Sequence, residues 1–102
     1  MYSYFALWKK RIGDGPPVGI FVKDPETGDA LLWNHRQKAW QYNPDLVARF
    51  LFDDRNWDRY ESVDRETAER VTLGITGWEV LPDEETIAWI FSWKGAPPQS
   101  ED

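Results

Sequence analysis

The spacing of the apolar residues changes once along the chain, at Asn43-Pro44, and that change limits the fold more than any other feature. Before it, apolar runs of strand length alternate with turn residues. "YSYFALW" places Tyr2, Tyr4, Ala6 and Trp8 on one face and Phe5 and Leu7 on the other, so the strand is apolar on both sides and belongs inside a sheet. "GDGPP" breaks the run, and "VGIFVK" follows with Val18, Ile20 and Val22 on one face. In "DPETGD", Pro25 fixes its own φ and Gly28 can take a positive one, which makes a turn. "ALLWN" and "KAWQY" then flank "HRQ" as the next antiparallel link. These segments predict an antiparallel meander of about four strands.

After the change the period is helical. Asn43 is an N-cap, Pro44 stands at the first helical position, and Tyr42 is placed to pack onto Val47. Leu46, Val47, Phe50 and Leu51 form one stripe, which gives a helix to about residue 52. A second helix is expected from Asp64, with Val63 facing Ala68, an inward stripe of Ala68, Val71 and Ile75, and Gly74 as its end. "GWEVLP" reads as a short return strand. Asp83, Glu84 and Glu85 open a third helix that Gly95, Pro97 and Pro98 stop. Strands followed by helices predict a single α+β domain over residues 1–94, its sheet covered on one face by three helices in a two-layer sandwich. Residues 95–102 read as a disordered acidic tail.

Charge and composition narrow the function. The net charge of −6 and a single basic run, Lys9-Lys10-Arg11, disfavour nucleic acid and anionic membrane surfaces as partners. The absence of cysteine removes disulfides, thiolate metal sites and thiol nucleophiles. The N-terminal apolar residues precede the basic ones, the reverse of a secretory signal, and no apolar run approaches the roughly 20 residues of a membrane span. A soluble, cytoplasmic protein without cofactor or metal is expected. Seven tryptophans are more than a core of this size hides completely.

Three motifs invite chemistry and give little. His35 lies in a turn with no identifiable nucleophile to serve. "KKRIGDGPP" lacks the spacing of a phosphate loop and opens onto no helix. The acids of "DDRNWDRYESVDRETAER" (residues 53–70) show no calcium-loop spacing. The second half of that stretch explains itself: Glu61 with Arg65 and Glu66 with Arg70 are acid-first helical pairs, and Asp64 is a cap. The first half does not. As a helix it would align Asp54 with Asp58 and Arg55 with Arg59, which costs stability, and it would set Trp57 and Tyr60 on a neighbouring face. The plain alternative is that Asp53 or Asp54 caps a short helix while Trp57 and Tyr60 fill the core. In the third helix Ile87, Ile90 and Phe91 form the core stripe, and Trp89 and Trp93 extend it around the helix.

The leading expectation is a small non-enzymatic interaction module that holds a basic partner protein, or a second copy of itself, through an acidic and aromatic surface. The positions singled out are Trp57, Asp58, Tyr60, Glu61, Trp89 and Trp93. Accessory proteins of the immunity or neutraliser kind share this general character, although no motif here carries a family. A small-molecule pocket lined by Trp33 and Trp40 between sheet and helices is the alternative, and a small enzyme using carboxylates comes third.

Overall fold

The two halves form an α+β domain. The computed structural model describes residues 1–95, in the order β1 (Ser3–Leu7), β2 (Gly19–Lys23), β3 (Ala30–Asn34), β4 (Ala39–Tyr42), α1 (Pro44–Phe52), a 3₁₀ turn (Asp54–Asn56), β5 (Tyr60–Val63), α2 (Arg65–Thr76) and α3 (Glu84–Ser92). The expected tail lies outside the described residues except for Gly95.

The four-strand meander forms as its turn residues dictate, and a fifth strand joins it, giving the order β4-β3-β2-β1-β5. All pairings are antiparallel. The return strand is "YESV" rather than "GWEVLP": it pairs with β1 from Tyr4 opposite Val63 to Leu7 opposite Tyr60. Its alternation puts Tyr60 on one face and Val63 on the other. In "GWEVLP" only Leu81 is buried.

The helices divide between the two faces of the sheet, which corrects the two-layer expectation. Ile20, Val22, Leu31 and Trp33 point to one side and form a core with Ala68 of α2 and Ile87 and Phe91 of α3. Leu7, Phe21 and Ala30 point to the other side and pack on Val47 of α1. The reason lies in β1 and β2, which are apolar on both faces, so a cover on one side only would leave Phe5, Leu7 and Phe21 in water. Each fully buried aliphatic side chain here, such as Ile20 or Val47, contributes about 1.5–3 kcal/mol.

Local signals set most helix ends. Asn43 accepts from the Leu46 N–H at 3.1 Å, Asp64 from Thr67 N–H and Asp83 from Thr86 N–H, both at 2.8 Å. Tyr42 does not pack on Val47; the two belong to opposite faces of the sheet. α2 runs through Gly74 to Gly77, whose φ of 84° and N–H bond to the Leu73 carbonyl close the helix. A glycine inside a helix costs about 1 kcal/mol but does not end it.

Candidate interaction surface

Two side chains fix the α2–α3 layer on the sheet. Arg65 donates to the Tyr4 hydroxyl at 3.1 Å and to Glu69 at 2.9 Å, and its guanidinium lies 5.5 Å over the Tyr4 ring. Tyr4 in turn donates to Glu84 at 3.4 Å, so β1, α2 and α3 meet at one point. Burial raises the Tyr4 hydroxyl pKa even though the Arg65 contact pulls it down. At the other end of α3 the buried Asp29 carboxylate accepts from Tyr42, from Thr27 at 2.8 Å and from Lys94 at 3.2 Å.

The segment from α2 to α3 carries both net negative charge and exposed apolar side chains. Residues 65–93 carry Glu66, Glu69, Glu79, Asp83, Glu84 and Glu85 against only Arg65 and Arg70, so four of the chain's six net negative charges lie there. Both arginines are paired within α2, Arg65 with Glu69 at 2.9 Å and Arg70 with Glu66 at 3.8 Å. Trp78 is 65% exposed, in the loop after α2, where it lines a hollow with Trp33, His35 and Lys38; Trp89 on α3 is 58% exposed, and Leu73 on α2 and Val80 in the loop are exposed as well. Glu69, Leu73, Val80 and Leu81 line a hollow of about 250 Å³. Glu85, Thr86, Ala88 and Trp89 line a groove of about 530 Å³ along α3. Trp93 is half-buried and packs on Trp89 with ring centroids 4.1 Å apart.

The other singled-out positions fall elsewhere. Residues 54–61 form no α-helix, only the 3₁₀ turn and the start of β5, so the like-charged pairs never align. Asp53 caps the 3₁₀ turn and chelates Arg55 through bonds of 3.1 and 2.8 Å, and those hydrogen bonds hold its carboxyl down at about 2. Arg59 is engaged by Asn56 at 3.0 Å and by the Trp8 carbonyl at 3.4 Å. Tyr60 donates to the Leu51 carbonyl at 3.1 Å, and its ring packs on Phe5 and Phe50. The plain reading of this stretch therefore describes Asp53 and Tyr60 correctly. It misses Trp57, which is 71% exposed. Asp58 is half-buried, and its carbonyl accepts from Ile12 N–H at 2.9 Å, which brings the basic run Lys9–Arg11 alongside. Glu61 is exposed on β5, at the sheet edge.

Trp33 and Trp40 do not enclose a cavity between them; they pack edge to face at 5.3 Å. A hollow of about 320 Å³ does lie on the far side of Trp33, lined by Trp8, Val18, His35 and Arg59 among others. His35 Nε2 is 2.7 Å from the Val18 carbonyl, which can only accept, so that nitrogen carries the proton. Among the described residues no three His, Asp or Glu side chains group as a metal site would require. No described helix is long and apolar enough to cross a membrane.

Sequence reasoning passed over Leu73, Trp78, Val80 and Glu85. The alternation in "GWEVLP" imitates a strand, and Glu85 was absorbed into the helix start. The available signal was the charge imbalance after residue 64. Comparison with protein-family models, with curated proteins and with solved structures returns no match.

Proposed function

We propose that this chain is a non-enzymatic interaction module whose outer α2–α3 face binds a basic protein partner. One observation carries the reading: the segment from α2 to α3 combines excess negative charge with the exposed Leu73, Trp78, Val80 and Trp89. Acids steer a basic partner in, and aromatic side chains that become desolvated on contact hold it. Trp89 and Trp93 keep the role expected from the sequence. Trp57 and Asp58 are left out of this surface, because Lys9, Lys10 and Arg11 offset the acids around them.

The test is capture with wild type and with the double variant Glu69→Lys, Glu85→Lys, followed by reconstitution of the complex from purified components. The reading expects a partner of basic isoelectric point whose complex weakens at least about tenfold in the double variant and in raised salt. A partner bound equally by both proteins overturns it.

A small-molecule reading has the hollow beside Trp33 in its favour, since about 320 Å³ is at the low end for ligand pockets. Trp33→Phe would then lower the affinity for a captured ligand and leave partner binding unchanged.

A further inference from the structure

The α3 groove contains an arrangement with its own chemistry. Glu85 and Trp89 are four residues apart, so they stand on one helix face a turn apart, and both line the groove of about 530 Å³. Side chains on a helix lean toward its N-terminus, and Glu85 lies one turn from Trp89 in that direction. Trp93 packs against the indole from the following turn at 4.1 Å. The remaining lining, Thr86 and Ala88, is short.

A carboxylate beside the face of an indole suits one class of group, a cation that is both paired and stacked. Elsewhere the chain uses one of its own cations in this way: Arg65 lies 5.5 Å over the Tyr4 ring and pairs with Glu69 at 2.9 Å. Among the described residues no Lys or Arg pairs with Glu85 or stacks on Trp89. The remaining segment, 96–102, contains neither residue type.

We propose that Glu85 and Trp89 form a clamp for an arginine side chain of the basic partner. The inference rests on the proposed function and sharpens it to one side-chain chemistry. Arginine is favoured over lysine because its planar guanidinium stacks on an indole while its edge donates to a carboxylate in two parallel bonds.

The test follows the Trp89 indole N–H by NMR during titration with N-acetyl-arginine amide and with its neutral isostere N-acetyl-citrulline amide. Arginine is expected to shift the Trp89 signal with at least about fivefold higher affinity than citrulline, and Glu85→Gln is expected to abolish that preference. Equal response to the two probes, or a preference that survives Glu85→Gln, overturns the clamp. Deca-arginine separates this failure from that of the underlying reading. If it binds Glu85→Gln as tightly as wild type but is lost from Trp78→Ala, the surface stands and the clamp falls. If it binds neither wild type nor Glu85→Gln at low salt, the surface reading falls and takes the clamp with it.

Discussion

The Tyr42 hydroxyl donates a hydrogen bond to the Asp29 carboxylate and so fastens the edge strand β4 to the β2–β3 turn. Asp29 is buried, and burial alone would raise its carboxyl pKa. Hydrogen bonds from Tyr42, Thr27 and Lys94 outweigh that effect and hold it below the usual carboxylate range. The same contact, with burial as the larger cause, pushes the Tyr42 hydroxyl up to about 12 from 10.0.

Both shifts make stability depend on pH, in opposite directions. A depressed carboxyl stabilises the fold above its unfolded pKa, and that contribution is lost as pH falls through the folded value. A raised tyrosine stabilises below its unfolded pKa, and that contribution is lost as pH climbs from 10.0 toward about 12. Tyr42→Phe should therefore cost about 1–3 kcal/mol at neutral pH. The gap to wild type should narrow below about pH 4 and above about pH 10. Urea unfolding across that range checks it, and a gap independent of pH would contradict the assignment.

Gly95 closes the chain over Tyr42 with a φ of 84°, and a Cβ there would meet the Tyr42 Cβ directly. Gly95→Ala should lower stability by about 2–4 kcal/mol through strain and overlap together. Gly13→Ala has a similar φ and open space around it, so it should cost less than half as much in the same denaturation measurement.

Glu61 lies on β5, a four-residue edge strand, and a charge at such an edge discourages pairing with another sheet. Glu61→Val is expected to leave the fold intact and to promote self-association, seen as a rise in sedimentation coefficient with concentration.

Trp57 and Tyr60 should respond in opposite ways to mutation. Trp57→Ala should change stability by no more than about 0.5 kcal/mol, since the ring is 71% exposed. Tyr60→Phe should lose about 1 kcal/mol with its bond to Leu51. Calorimetry on the two variants decides this.

The sequence reading succeeded where local chemistry decides structure. Asn43 and Asp64 are caps as expected, Asp83 opens α3 and also caps it, and the first four strands and all three helices stand close to their expected places. It failed where only tertiary pairing decides. Nothing local distinguishes "YESV" as a partner for β1 from "GWEVLP", and the sheet makes the choice through the pairing of Tyr4 with Val63. The division of helices between faces was implicit in the two apolar sides of β1 but was not used. At the surface, the density of charges in residues 53–61 drew attention, yet Arg55 and Arg59 turned out to be engaged within the fold. The sparser acids from Glu66 to Glu85 lie in the same segment as the exposed Trp78 and Trp89, whose exposure spacing along the chain does not reveal.

On the proposed function, the outer face of α2 and α3 receives a basic partner. Selective labelling of the seven indole N–H groups, followed during titration with deca-arginine at low salt, tests it most directly. The Trp78 and Trp89 signals are expected to shift and to return as salt is raised, with the Trp57 signal unmoved. Shifts confined to Trp57, or no shift at any indole, would contradict it.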